Sequence, residues 1–337
     1  MNDKIIKIGV IGYGYWGPNI VRNFVNTDNA KIVAVCDKNP DTLKKLTVNH
    51  PCIDTMADSR DIIGSPDIDA VAIVTPVSTH FELAKSALES GKHIFVEKPF
   101  TDSVAHAEEL INLAEQKHLV IMVDHTFLFT GAVRKIKELI NEKALGNIYY
   151  YDSTRVNLGL FQHDVNVIWD LAPHDFAILN YVIPDQPVAV TACGRSHVNS
   201  HEDIAYISIF FSSSLIAHIN VNWLSPVKIR TTFIGGEKKM LVWNDDTNDE
   251  KVKVYDKGID VTTREGIYDL LVKYRSGDIW TPRLDNQEAL KQETSYFVEC
   301  VANGTKPHND GHAGLQVVRL LEACDQSLRQ NGKTVAL

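Results

Sequence analysis

Lys7-Ile-Gly-Val-Ile-Gly-Tyr-Gly-Tyr-Trp-Gly-Pro-Asn19 reads as a buried strand, a glycine turn and the start of a helix. Gly12, Gly14 and Gly17 stand at the spacing G-x-G-x-x-G. In such a turn the first glycine allows the tight bend. The second leaves room for a pyrophosphate, and the third lets helix and strand approach closely. Pro18 suits a first helical turn, where a missing N–H costs little. The free amides and positive dipole end there can hold a diphosphate. A glycine turn alone is a weak signal, but a second apolar run over residues 31–36 ends at Asp37, twenty residues after Gly17. That is where a carboxylate accepts hydrogen bonds from an adenosine ribose. The bland alternative, a structural turn plus an unrelated Asp, weighs less in this context. The expectation is a dinucleotide site.

Working outward, residues 40–49 form a polar helix, followed by a connection through Asp58. Residues 69–76 read as a strand ending at Thr75-Pro76, with Ser78 or Thr79 capping the next helix and Gly91 stopping it. Residues 92–99 are again a strand ending in Pro. A helix capped by Ser103 and a strand over 119–123 follow. This alternation predicts an α/β domain, a doubly wound parallel Rossmann sheet over residues 1–124. Beyond it strands follow strands. Residues 204–211 and 215–223 flank a serine turn, and 228–234 and 239–243 flank Gly235-Gly236. Residues 125–337 therefore read as an α+β substrate-binding and oligomerisation domain with a largely antiparallel open sheet and a helix over 170–182. Two late helices, near 286–303 and 311–331, can fold back on the first domain.

The 337 residues, 44% hydrophobic and 23% charged, suit a soluble globular chain. A net charge of −9 argues against nucleic acid or an acidic membrane as partner. No apolar run is long enough to cross a bilayer, and no signal peptide is evident, so a cytoplasmic location is expected. Five scattered cysteines without a C-x-x-C read as free thiols in a reducing compartment.

Two constellations carry chemistry. Glu97-Lys98-Pro99 closes a parallel strand, at the sheet edge where open α/β sheets bind ligands. A lysine there can polarise a hydroxyl or relay a proton, and Pro99 can aim it through a cis peptide. A solvated lysine is the bland reading, and it would win if the motif stood alone. Asp170 and His174, four residues apart, share one helix face, an arrangement that suits a general base. By pattern alone such a pair is more often surface decoration or a cap. No metal is expected, because no cysteine pair or third ligand has recognisable spacing. Asp124-His125 can line the cleft, as can His80 after Thr75-Pro76, and for each a positional role outweighs a catalytic one. Arg155, Asn157, His163, Trp223, Lys228 and Arg230 lie on or beside strands of the second domain. They could serve a diphosphate, a solvated sheet face or a subunit interface.

Gly12-x-Gly14-x-x-Gly17, Asp37, Thr75-Pro76 with His80, Glu97-Lys98-Pro99 and Asp170-x-x-x-His174 together resemble the glucose–fructose oxidoreductase, inositol dehydrogenase and rhizopine-catabolism (Gfo/Idh/MocA) family. The similarity covers essentially the whole chain, and Glu-Lys-Pro is its most specific part. It implies NAD- or NADP-linked oxidation or reduction of a sugar, cyclitol or nucleotide sugar, in a homodimer or homotetramer. By the same resemblance Lys98 and His174 are the catalytic pair, with Asp170 orienting substrate. The cofactor would meet Gly12, Gly14, Tyr15, Trp16, Gly17, Asp37, Lys38, Thr75, Pro76, His80, Glu97 and Lys98. The substrate would meet His125, Arg155, Asn157, Trp169, Asp170 and His174. Asp37 favours NAD over NADP, since a carboxylate repels a 2′-phosphate; Lys38 pulls the other way. The chain departs from the family pattern at Pro173, where a glycine is usual. The strings over 12–19 and 165–175 look like a subgroup tied to amino-sugar and cell-surface polysaccharide synthesis, which implies a UDP-N-acetylglucosamine-type 3-dehydrogenase. An NAD-dependent glycosidase with transient oxidation and a non-catalytic sugar-responsive regulator are the rival readings.

Overall fold

The computed structural model describes residues 5–159, 161–162, 164–261 and 272–337. His163 lies outside them. The chain divides into two compact units, Met1–Phe129 with Gln287–Arg319, and Thr130–Asn286 with Leu320–Leu337.

In the first unit β1 (Ile6–Ile11), α1 (Gly17–Val25), β2 (Ala30–Cys36), α2 (Pro40–Asn49), β3 (Asp54–Met56), α3 (Ser59–Gly64), β4 (Ala70–Ile73), α4 (His80–Glu89), β5 (His93–Val96), α5 (Val104–Lys117) and β6 (Ile121–Val123) alternate along the chain. The strands pair in parallel in the order β3-β2-β1-β4-β5-β6, the doubly wound arrangement. Buried on both faces, β4 is a continuous apolar run, and β1 is one apart from the half-buried Lys7. β3 and α3 occupy the stretch read from sequence as a plain connection; a three-residue strand is too short to show alternation. The expected cap by Ser78 or Thr79 is replaced by a single 3-10 turn, in which Thr79 Oγ1 donates to the Pro76 carbonyl at 2.8 Å. Ser103 caps α5 as expected.

The second unit holds α6 (Gly131–Asn141), β7 (Ile148–Leu158), α7 (Val167–Val182), β8 (Pro187–Arg195), β9 (Ile204–Phe211), β10 (Ile216–Asn222), β11 (Leu224–Gly236), β12 (Met240–Asn244), β13 (Val252–Val261), β14 (Val272–Trp280) and, after α8 (Ala289–Asn303) of the first unit, the end of α9 (Gly311–Arg329) and β15 (Val335–Ala336). Among the described residues the strands form one sheet, β14-β13-β12-β11-β7-β10-β9-β8-β15, antiparallel except where β10 runs parallel to β7. Its inner face, with Tyr151, Ile207, Ile219 and Ile234 buried, packs on α7. The register places Ile216, Phe233 and Tyr206 on the opposite face, where they are 43%, 44% and 49% exposed.

The boundary read from sequence at residue 124 counted the late helices with the second domain, while allowing that they fold back on the first. In the structure residues 287–319 belong to the first unit. α8 returns because Phe297 closes a three-ring edge-to-face cluster, 6.0 Å from Phe24 and 5.6 Å from Phe95. Arg22 and Asn23 of α1 also bond Glu288 at the foot of α8.

Candidate active site

The glycine turn between β1 and α1 opens on a cleft of about 770 Å³. Gly12 has φ +98°, and a Cβ there would lie 2.1 Å from the Val74 carbonyl oxygen. A Cβ on Gly17 would meet the Gly12 carbonyl at 2.8 Å, whereas one on Gly14 would meet nothing within 4 Å. Two glycines are therefore demanded by the fold, and the third keeps space clear. Trp16 forms no side-chain cap on α1, Pro18 has no N–H and the Asn19 N–H already donates to the Trp16 carbonyl at 2.9 Å, so of the first turn's amides that of Gly17 is the one offered to an anion. At the far side Asp37 accepts N–H bonds from Tyr13 at 2.7 Å and from Asn39 at 2.8 Å, which fixes its carboxylate at the end of β2. Each oxygen keeps a lone pair for a ribose hydroxyl. These residues fit a dinucleotide.

The same cleft is lined by Lys38, Thr75 and Pro76, as expected, and by Asp58, Arg60 and Glu82, which sequence reasoning missed. Asp58 caps α3 and also grips the Arg60 guanidinium. An Asp two residues before an Arg, at a helix start, was the available signal. Cys36 faces the cleft too, but burial and then Asp37 push its thiol up to about 11, so it stays protonated. Tyr15 is exposed and Trp16 partly so. We expect Gly14→Val to fold as the wild type, because its Cβ enters open space, yet to weaken NAD binding by roughly tenfold or more. Fluorescence titration beside a melting curve checks this; an unchanged affinity would remove Gly14 from the diphosphate site.

His80 is not on the cleft wall. It is fully buried, with Nδ1 2.9 Å from the Pro99 carbonyl oxygen and Nε2 2.8 Å from that of Thr75. Burial pushes its pKa down. It struts the Thr75 turn against the cis Lys98–Pro99 peptide, and Lys98 sits half-buried just past β5. Glu97 also turns away from the cleft: its Oε2 accepts the Lys98 N–H at 2.8 Å, and its carboxyl bonds Asp124. His125, expected to meet substrate, is 1% exposed. Burial, with Lys98 and His308 nearby, pushes it down to about 3, so it is neutral.

In the second unit, Asn166 caps α7 by accepting N–H bonds from Ile168 and Trp169, and the helix continues through Pro173. Asp170 and His174 lie half-buried on one side of it. Trp223 donates its indole N–H to Asp170 Oδ2 at 3.0 Å, and Asn157 and Trp223 both approach Gly159. Asp170, His174, Trp223 and Asn157 thus belong to one end of this unit. The structure gives Trp169 and Arg155 different surroundings from those expected. The Trp169 indole N–H is buried against Asp325 Oδ2 at 2.8 Å, and Arg155 is sealed in an ion pair with Asp175, Nε to Oδ2 2.6 Å.

The NAD-binding Rossmann domain of an oxidoreductase family matches residues 6–125, and the C-terminal alpha/beta domain of the same family matches residues 137–337. UDP-N-acetylglucosamine 3-dehydrogenase of Acidithiobacillus ferrooxidans is 26% identical over 322 residues, covering 93% of this chain and 94% of that protein. The NAD-linked scyllo-inositol 2-dehydrogenase of Bacillus subtilis is 25% identical over 316 residues, covering 90% and 88%. The solved structure of the Acidithiobacillus enzyme shares the fold, with a TM-score of 0.79 at 24% identity over 97% of this chain and 98% of that one. With the glycine turn, the fixed Asp37 carboxylate and the Glu-Lys-Pro element where the family has them, the chain is an NAD(P)-dependent dehydrogenase and belongs to the Gfo/Idh/MocA oxidoreductase family.

Proposed function

We propose that this dehydrogenase oxidises a ring hydroxyl of a sugar carried on a nucleotide, a UDP-amino sugar reacting at its 3-hydroxyl. The observation that carries the reading is the placement of Asp170 and His174 one helical turn apart on α7, the Asp170 carboxylate accepting the Trp223 indole N–H. His174 accepts the hydroxyl proton. The Lys98 ammonium donates a hydrogen bond to the same oxygen and stabilises the charge that develops there. Asp170 orients the sugar. Bound NAD supplies the hydride acceptor. The nucleotide-sugar assignment is supported by the Acidithiobacillus relative, named for UDP-N-acetylglucosamine; the Bacillus relative, named for an inositol, supports the wider class of sugars and polyols.

The exposed apolar face of the second sheet, carrying Tyr206, Ile216 and Phe233, supports a homo-oligomer joined through that face. Among the described residues no helix is long and apolar enough to cross a membrane. Free cysteines and the charge of −9 favour a reducing cytoplasm and a small-molecule partner.

NADH absorbance with UDP-sugars, dTDP-sugars, free hexoses and inositols tests the substrate. Growth with a UDP-amino sugar alone is the expected result. Growth only with inositols would replace the nucleotide sugar. Glycoside cleavage without net NADH would replace dehydrogenation by transient oxidation.

A further inference from the structure

Behind Lys98, inside the first unit, lie three carboxyl groups for which the proposed chemistry has no use. Asp124 and Glu293 are 3% and 0% exposed, and Glu97 reaches Asp124 from the end of β5. Their oxygens divide cleanly into satisfied and unsatisfied ones. Glu293 Oε1 accepts the His125 N–H at 3.0 Å and the Asn309 side-chain N–H at 2.9 Å. Asp124 Oδ1 accepts from Thr126 Oγ1. Glu97 Oε2 accepts the Lys98 N–H. Glu293 Oε2 and Asp124 Oδ2 are buried with no donor, yet the Glu293 and Asp124 carboxyls are within bonding reach of each other. Two carboxylate oxygens that close repel unless a proton lies between them. Among the described residues no group of three or more carboxylates, histidines or cysteines is placed to hold a metal ion.

We propose that Glu97, Asp124 and Glu293 are a carboxylic-acid triad that shares two protons and keeps one negative charge, and that this charge faces Lys98 and fixes its place. Glu97 and Glu293 each donate an O–H to Asp124, which carries the charge and also receives the Thr126 hydroxyl. Burial and the neighbouring Asp124 raise both glutamates well above the usual carboxyl range, in agreement. The groups facing the triad are Lys98 beyond β5, His125 and Thr126 after β6, Asn309 before α9, and His308 farther out. His125 is neutral, so Lys98 is the cation that the retained charge balances. Asp124 and Glu293 act on the reaction through Lys98 and are positioning residues. The functional half of this inference rests on Lys98 being catalytic; the protonation half does not.

Infrared difference spectra of the NAD-loaded protein test the protonation without a substrate. At neutral pH the wild type should show the carbonyl stretch of a buried protonated carboxyl, and Glu293→Gln should remove intensity from it while melting as the wild type does. Lysine NMR, with Lys98→Arg assigning the resonance, tests the charge. Asp124→Asn should move the Lys98 Nζ resonance, and Glu293→Gln, which replaces a neutral acid, should leave it in place. No carbonyl intensity lost in Glu293→Gln, or equal shifts of Lys98 in the two variants, would overturn the triad. Loss of folding in Glu293→Gln would count against it too, since an amide keeps the donor. Lys98 proving dispensable for turnover would leave the spectra untouched and defeat only the functional half.

Discussion

Lys98→Met should reduce kcat by roughly 10²- to 10⁴-fold on the sugar that the NADH assay selects, with NAD affinity nearly unchanged. Methionine keeps the length and most of the volume of the side chain, so the fold around β5 is kept and only the ammonium is lost. On the proposed mechanism two contributions disappear with it: the hydrogen bond that polarises the reacting hydroxyl, and the charge that stabilises oxyanion character as the proton leaves. Both operate on the transition state more than on bound substrate, so the loss should fall on kcat rather than KM. His174→Ala should have an effect of similar size. If the two side chains act on one oxygen, the double variant should be little worse than either single, because removing one leaves the other without its task. Near-wild-type turnover in Lys98→Met would end its catalytic assignment. Additive losses in the double variant would place the two residues in separate steps.

Lys98 could be singled out from sequence because its setting is local. A strand, a charged dipeptide and a proline lie within eight residues, just as the glycine turn and Asp37 lie within one β–α–β unit. Gly12 needs its left-handed φ for reasons that two neighbouring strands supply, and any reader of G-x-G-x-x-G anticipates it. What stayed hidden was set by distant partners. Glu293 is far along the chain from Asp124, and nothing in its own helix marks it as the one carboxyl turned inward. Phe297 looks like any apolar helix residue until Phe24 and Phe95 are seen beneath it, which is why the late helix went to the wrong side of a boundary at residue 124. His80 was read correctly as part of the Thr75-Pro76 element, but a motif position does not reveal whether a ring faces a cleft or struts it from behind. Trp169 and Arg155 misled for a related reason. Aromatic and cationic side chains suit a sugar diphosphate, and they equally suit a buried partner such as Asp325 or Asp175.

That buried partner makes the second large effect. Asp175→Asn should destabilise the second unit by about 3–5 kcal/mol, the range for removing one member of a buried ion pair. Arg155 and Asp175 are 5% and 1% exposed at the side chain, and Asp175 Oδ1 also accepts the Ser153 hydroxyl at 2.6 Å. Neutralising the carboxylate leaves a guanidinium in the inner face of the sheet, beside Tyr151 and Thr232, with its counter-charge gone. The cost is the stranded charge rather than the worth of the pair itself. Arg155→Met with Asp175→Leu should therefore lose less stability than Asp175→Asn alone, because the double replacement removes both desolvation penalties together. Denaturant unfolding followed by Trp223, buried in this unit, reports the difference. Asp175 directly follows His174 on α7, so the pair also pins the helix to β7 beside His174, the proposed general base. If the double variant proved as unstable as the single, the pair would be holding α7 in register through specific hydrogen bonds that apolar packing cannot replace. In that case turnover should fall in both variants even at temperatures where each remains folded.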